Sequence, residues 1–495
     1  MKRALLLPLL AVTTLSGCTV SGLTLTEVKV AAPERYTALP GEQGPTSIQA
    51  KQNVVAGQQI PQQWWQLFGS EPLTGLVEQG LKNSPTIVAA AARLRSVEAL
   101  YRAQQESVQL PTVDLSLGAN RTQSSGATQG HMGSGSVLSI QNASLQFSYR
   151  ADLFGGNRQQ LLGAGAAVEV ERYKAEHTRV ALAANIVTTT IQLASLEAQI
   201  TALQNIIEDE SAHLAVTEQQ YQIGVIPKSD LLSQRASLAQ TRTRMPALRR
   251  AQALAQHQLA LLIGTTAGEA DIPKFSLDSI TLPQTVPLSL PSELTRQRAD
   301  IRTAEALLQQ SAAAVGVATA NRYPTLDLSG SFGTEVNQLS DLLSGGSAVW
   351  GVGAGLLHPL FHGDALRAQE ASAVASYDQL AAEYRQQVLM AFREVADALR
   401  ALHLDSEQLA LTEEADRLAS ETLKLVEQQH KQGAVSYLTL LNAQRLLQQS
   451  RIDLIQARAA LYVDSATLMV ALGGGWWSET ESTAQAVQIE QGADK

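Results

Sequence analysis

Four stretches of the chain alternate strictly between apolar and polar side chains. In 112–119, Val113, Leu115, Leu117 and Ala119 fall on one side and Thr112, Asp114, Ser116 and Gly118 on the other. In 144–150, Leu145, Phe147 and Tyr149 oppose Ser144, Gln146, Ser148 and Arg150. In 325–332, Leu326, Leu328 and Phe332 oppose Thr325, Asp327, Ser329 and Ser331; in 350–356, Trp350, Val352, Ala354 and Leu356 oppose Gly351, Gly353 and Gly355. A period of two with one apolar face predicts strands near 111–120, 143–151, 324–333 and 348–357. A second rhythm has a period of seven. Leu440, Leu447, Leu454, Leu461 and Leu468 recur at that spacing, with Ala443, Ser450, Ala457 and Ala471 three positions later; Asp464 interrupts that smaller row. Leu231, Leu238, Met245 and Leu259 keep the same rhythm earlier in the chain. Large residues on one seam and small ones on the other suit tightly packed coiled-coil pairs. No Pro or Gly falls between 436 and 472, so this helix would reach about 55 Å at 1.5 Å per residue. That length argues for a rod or tunnel.

The pattern is written twice. PTVDLSLGAN (111–120) resembles PTLDLSGSFG (324–333), Leu153-Phe154-Gly155-Gly156 resembles Leu360-Phe361-His362-Gly363, and YQIGVIPKSDLL (221–232) resembles HKQGAVSYLTLL (430–441). The nearly constant offsets predict a tandem duplication over 72–267 and 292–474. Each half reads helix, strand, Gly/Ser-rich loop, strand, then two long helices. A linker at 268–291, with Pro273, Pro283 and Pro287, joins the halves. Residues 18–71 read as a tether with a polar, irregular start, and 475–495 as a C-terminal tail.

Composition and charge narrow the class. Ala, Leu and Gln are abundant and aromatics make up only 4%, which favours long helices. The N-terminus, MKRALLLPLLAVTTLSGC, has a basic pair, an apolar run too short to span a bilayer, and small residues before Cys18, the only cysteine. This is the pattern of a signal peptide over 1–17. Leu15-Ser16-Gly17-Cys18 resembles the lipobox of bacterial lipoproteins. That resemblance implies a diacylglycerol on the Cys18 sulfur and an acyl chain on its new amino group, with no other cofactor. Thr19, rather than Asp, favours the outer membrane. Without Lys2 and Arg3 the chain has 35 cationic against 46 acidic side chains, a net of −11, which argues against a nucleic-acid partner. No later segment has eighteen consecutive apolar residues, so no transmembrane helix is expected.

Strands in lipid cannot leave open edges, and known outer-membrane barrels need roughly eight strands or more. Four strands from one chain do not close, so either the chain oligomerises or the strands lie outside the membrane. At this point the order of elements and several motifs resemble the outer-membrane efflux proteins, the TolC-like family, in its NodT-type lipoprotein branch. The motifs are PQQWWQLFGSEPLTGLV (61–77), LPSELTRQRADIRTAE (290–305), ADLFGG, HPLFHGD and YLTLLNAQRLL (437–447). Ala299 departs from the pattern, standing where the family usually has Pro. The resemblance implies a mainly α fold with a small β part. In it a homotrimer forms a twelve-stranded outer-membrane barrel on a periplasmic tunnel of coiled-coil helices. The implied partners are a periplasmic adaptor, an inner-membrane pump of RND or MFS type, and outer-membrane lipid. The implied function is a passive exit duct for small toxic compounds or drugs, lipid-anchored at the outer membrane.

The resemblance also implies a periplasmic gate where the helical hairpins turn, at Gly224 and Gly433, formed by Ser229, Asp230, His430, Thr439 and Asn442. Asn442 stands where relatives often carry an acid that traps cations. His430 and Asp230 occupy the positions of a tyrosine–acid lock. Enzyme motifs are absent: there is no GxSxG, HExxH, Walker A or CxxC. GVGAG (351–355) belongs to an alternating strand. His358 and His362 are separated by Pro359 with no third ligand nearby, so no metal site is expected. Lys228 beside Asp230 reads as a solvated turn rather than a reactive pair. Two other functions stay open. A periplasmic adaptor or scaffold would show one hairpin flanked by compact β modules, and a protein-secretion duct would share this architecture.

Overall fold

The computed structural model describes Pro33, Tyr36 and residues 47–48, 52–123, 137–288, 290–341 and 346–477. Cys18, the leader and most of the tail lie outside them. The described chain is mainly helical. Its strands are β1 (Ser47–Ile48), β2 (Gln52–Ala56), β3 (Thr112–Gln123), β4 (Val137–Ala151), β5 (Thr285–Leu288), β6 (Thr325–Val336) and β7 (Ala348–Leu357). Its helices are α1 (Glu71–Asn83), α2 (Pro85–Gln109), α3 (Gly156–Gln222), α4 (Lys228–Thr243), α5 (Met245–Leu262), α6 (Pro291–Gln297), α7 (Ala299–Ala320), α8 (Ala365–Lys431) and α9 (Tyr437–Ala471). The chain divides into two compact units, 93–171 with 303–385, and 30–92 with 172–302 and 386 onward.

The first unit is built on an antiparallel sheet in the order β3-β4-β6-β7. The four alternating stretches are its strands. Their apolar face is open: Leu117 is 72%, Trp350 77% and Val352 84% exposed. The opposite face carries the hydroxyls, amides and charges, among them an Arg150 Nε–Asp327 Oδ1 ion pair of 2.8 Å. A sheet with its apolar side outward has no soluble core to bury it, and apolar surroundings satisfy it instead. β4 hands over to α3 through DLFGG. Asp152 caps the helix, accepting from Asn157 N–H at 3.1 Å and Arg158 N–H at 2.9 Å. Gly155 takes φ +79 in that turn. Phe154 stacks on Tyr323 with centroids 5.0 Å apart.

The second unit holds the helical hairpins and a layer of short elements. α3 and α8 are each 67 residues long, and each continues from the first unit into the second. Over the length of these helices the two halves keep an offset of 209 residues. α3 carries a stretch long and apolar enough to cross a membrane by composition, but more than half of it is buried within the protein, as in a core helix. α9 runs unbroken for 35 residues and buries Leu440, Leu461 and Leu468 with Ala443, Ser450 and Ala457. Its counterpart in the first half is split: Pro246 removes a donor, and the chain ends α4 at Thr243 and restarts α5 at Met245.

The aromatic motif at 61–77 is core. Ile60, Trp64, Phe68 and Leu73 are fully buried, and Trp64 meets Trp65 and Phe68 edge-on. Two features refine the sequence reading. Within the stretch read as a tether, β2 runs parallel to β5, which lies within the stretch read as a linker, and β1 adds to β2. Beyond the second repeat, Gly475, Trp476 and Trp477 still pack: Trp476 Nε1 donates to Gln297 O at 2.7 Å, and Trp477 is buried.

Candidate functional site

Both hairpin turns close by the same local chemistry. Gly224 and Gly433 adopt φ +76 and +74. Val225 N–H donates to Gln220 O, and Ala434 N–H to Gln429 O, both at 2.9 Å. This is the Schellman arrangement, in which a left-handed glycine lets the carbonyls of the last helical turn find donors. The other ends of the hairpins repeat it: Thr265 N–H donates to Ala260 O and Gly474 N–H to Met469 O, each at 3.0 Å. Gly224 and Gly264 lie 40 positions apart, as do Gly433 and Gly473, and this equal spacing is the spacing of four helix stops of one kind.

The side chains at the turns sort into two groups. Ser229, Thr439 and Asn442 are exposed, while Asp230 and His430 are half-buried. Ser229 Oγ donates to Asp230 Oδ1 at 3.2 Å. Thr439 N–H donates to Ser436 Oγ at 3.3 Å, capping α9. His430 does not meet Asp230 within the chain. Its Nδ1 lies 3.3 Å from Val435 O, and its ring meets Tyr437 at 6.0 Å. Burial pushes the Tyr437 phenol up to about 12, and the carboxylates of Glu210 and Asp230 add to the shift.

Behind the turns lies a polar layer that the sequence reading did not single out. Glu210 on α3 is 3% exposed, and Gln234 on α4 is fully buried. Gln234 Nε2 donates to Glu210 O at 3.1 Å, and Thr241 Oγ1 to Glu210 Oε1 at 3.2 Å. Glu210 Oε2, Gln234 Oε1 and Tyr437 OH are buried without a partner among the described atoms. Burial raises the Glu210 carboxyl above its usual range, against hydrogen bonds and the Arg445 charge that lower it. Unpaired buried polar atoms cost stability, so this layer is a weak point of the hairpin. Only the break in local hydrophobicity at 210 and 234 could have flagged it.

A second cluster fixes the start of α7. Arg298, whose side chain is 8% exposed, donates to Asp300 Oδ1 and Oδ2 at 3.0 and 2.6 Å, to Glu394 Oε2 at 2.6 Å and to Ala471 O at 2.9 Å. Gln387 Nε2 also donates to Asp300 Oδ2, at 2.7 Å. Burial alone would raise the Asp300 carboxyl, but the Arg298 guanidinium holds it below its ordinary value. The RADI motif thus ties the α6–α7 corner to α8 and to the end of α9. Beside it is a cavity of about 670 Å³, lined among others by His177, Arg298, Asp300, Glu394, Asp397 and Asp464. Asp464, the residue that broke the small seam, faces Asp405 on α8. His358 and His362 are exposed. Among the described residues no three His, Cys, Asp or Glu side chains are placed to hold a metal.

Comparison with known proteins bears on the whole arrangement. A family model described as "Outer membrane efflux protein" matches residues 76–265 and 290–474. The chain is 30% identical over 450 residues to the pyoverdine export outer membrane protein OpmQ of Pseudomonas putida, covering 89% of this chain and 92% of that one. It is 30% identical over 415 residues to the toluene efflux pump outer membrane protein TtgI of the same species, covering 83% and 87%. Among solved structures it resembles the outer-membrane channel OprN, with a TM-score of 0.81 and 28% identity over 90% of this chain and 98% of that one. The Campylobacter jejuni channel CmeC shares the fold, with a TM-score of 0.82 and 22% identity over 92% and 94%.

Proposed function

The chain belongs to the outer membrane efflux protein family, and from that premise we propose that three copies form the passive exit duct of a tripartite pump. One observation carries this reading. The four-stranded sheet exposes its apolar face and leaves β3 and β7 as unpaired edges. Backbone donors and acceptors on such edges cannot rest in lipid; three sheets joined edge to edge satisfy them in a barrel of twelve strands. The polar face, with Arg150 and Asp327, then lines a watery bore. The duct needs no chemistry of its own, and an inner-membrane pump of RND or MFS type supplies the energy through a periplasmic adaptor. A periplasmic adaptor or scaffold role fits poorly, because a soluble scaffold would have buried that apolar face. The two relatives named above carry pyoverdine export and toluene efflux in their names, which supports small compounds rather than secreted proteins as cargo.

The exposed turns at Ser229, Asp230, His430, Thr439 and Asn442 would form the periplasmic gate, with any His430–Asp230 lock made between copies rather than within one. Cys18 would carry a diacylglycerol and an acyl chain that add an anchor at the outer membrane. Deleting the gene should raise sensitivity to the pump's substrates, and detergent-extracted protein should scatter light as three chains per particle. A stable single chain that conducts ions would refute the duct. Cys18→Ser should abolish palmitate labelling; equal labelling would refute the anchor.

A further inference from the structure

We infer that the cavity walled by Trp64, Trp65 and Trp476 is a saccharide-binding site, sized for one or two sugar units of a glycan. This goes beyond the exit-duct reading and does not depend on the number of copies.

The cavity has a volume of about 350 Å³, within the range of pockets that hold small ligands. Three of the chain's five tryptophans wall it, and all of its lining lies in the second unit. Segments far apart in sequence meet there: the turn before α1, α1 itself, α3 and the GGGWW loop after α9. The glycines of that loop make the meeting possible. Gly474 and Gly475 adopt φ +71 and +73, and an added Cβ would lie 2.6 Å from Val180 Cγ1 and 2.5 Å from Pro61 O. Bare backbone therefore presses on α3 and on the entry motif, which sets Trp476 at the same cavity as Trp64 and Trp65.

The aromatic wall is held in place. Trp64 meets Trp65 and Phe68 edge-on. Trp476 meets Tyr173 and Trp477 edge-on, and its Nε1 is tied to Gln297 O. Aromatic surface already fixed by its neighbours loses little freedom when a ligand settles on it. Trp64 and Trp65 are buried and Trp476 is half-buried.

The polar lining carries both signs and no net charge. Glu78 and Lys82 stand one turn apart on α1 and are exposed. Glu176 and Arg179 stand one turn apart on α3, with Arg179 Nε 3.9 Å from Glu176 Oε2. Gln62 and Gln63 add two amides. A bare anion would meet the carboxylates, and a metal ion the cations. An apolar guest would cover these groups without pairing them. A zwitterion needs its poles apart, but here each carboxylate has a cation one turn away on its own helix. Sugar hydroxyls both donate and accept, so carboxylates, cations and amides can all bond to one guest. The C–H face of a sugar ring is apolar and packs on an indole. An aromatic wall with a polar edge of mixed sign thus matches the two kinds of surface that a sugar ring presents.

Calorimetric titration of the intact protein, extracted in a detergent without a sugar headgroup, tests the assignment. Chitobiose and cellobiose are the saccharide probes; glycine betaine and glycylglycine are the zwitterionic ones. At least one disaccharide should give saturable heat together with a shift in tryptophan emission. Saturation by chitobiose alone assigns the site to an amino-sugar glycan, and by cellobiose alone to a glucose polymer; either supports it. Glu78→Gln with Lys82→Met, on the exposed side of α1, should weaken binding about tenfold or more, as expected when hydrogen bonds to charged groups are lost, and leave the unfolding midpoint unchanged. Trp476→Phe should remove most of the emission shift; if that variant fails to fold, the double variant carries the test. No saturable heat with either disaccharide overturns the proposal, as does binding that the double variant leaves unchanged. Saturation by glycine betaine or glycylglycine without either sugar makes the cavity a zwitterion site and overturns it as well. Each of these results leaves the exit-duct reading standing.

Discussion

Replacing Asp464 by Asn should stabilise the protein at pH 8 and not at pH 4. Asp464 sits on α9 at the one place where the small seam Ala443, Ser450, Ala457, Ala471 is interrupted, facing Asp405 on α8. In the first half the equivalent positions, 209 residues earlier, are Leu196 and Ala255, both buried. The hairpin packing therefore has no need of acids here. Burial, and then the Asp405 charge with its hydrogen bond, push the Asp464 carboxyl up to about 6, from an ordinary value near 4. The charged groups around the adjoining cavity offer no relief. Arg298 is already committed to Asp300 and Glu394, His177 acts on Asp300, Asp397 adds negative charge, and among the described residues no cation pairs with Asp464.

A raised folded value means that the native state holds this proton more tightly than the unfolded chain. The cost is fully present above about pH 6, shrinks as pH falls, and is gone below about pH 4. The full shift corresponds to about 3 kcal/mol. Asp464 is only half-buried, so solvent screening brings this to about 1–2 kcal/mol. Asp464→Asn keeps a hydrogen bond to Asp405 and removes the second charge. Chemical unfolding of wild type and variant should therefore differ by about that amount at pH 8 and converge by pH 4. Asp405→Leu with Asp464→Ala, which copies the first half, should show the same pH-dependent gap with an added apolar gain. A gap that is constant across pH would show that the two carboxyls do not share a proton and refute the reasoning.

Arg298→Leu should cost about 3–5 kcal/mol in unfolding, since it leaves Asp300 and Glu394 without their buried cation; a loss under 1 kcal/mol would mean water replaces it. Gly264→Ala should lower the unfolding midpoint clearly, because Gly264 has φ +80 and its added Cβ would lie 2.6 Å from Asn83 O. Gly224→Ala, at a similar φ but with nothing within 4 Å, should cost only about 1 kcal/mol; equal losses at both sites would discount the clash. His430→Ala frees the turn that Nδ1 holds at Val435 O, and should raise the open probability in planar bilayers; an unchanged conductance trace would remove His430 from the gate.

The sequence by itself determined the features that repeat over short distances. A period of two is a property of an extended chain, so Val113, Leu115 and Leu117 disclose a strand and its apolar face without any partner. A left-handed helix stop favours glycine locally, so the equal 40-residue spacing of Gly224 to Gly264 and Gly433 to Gly473 is legible in the sequence and agrees with the duplication. The choice between several chains and strands lying outside the membrane also follows, because unmade hydrogen bonds on a sheet edge are a backbone property. Tertiary structure alone decided which distant residues meet. Nothing near 52–56 foretells that it pairs in parallel with 285–288, and nothing in RADI names Glu394 and Ala471 as the partners of Arg298. Asp464 was visible as an interruption, but its meaning depends on Asp405, fifty-nine residues away on another helix. Asp230 and His430 match a lock by position, yet in one chain Asp230 accepts from Ser229 and His430 turns to its own loop. Periodicity fixes the face on which a side chain lies; the register between helices, set by the packing of whole surfaces, fixes what it touches.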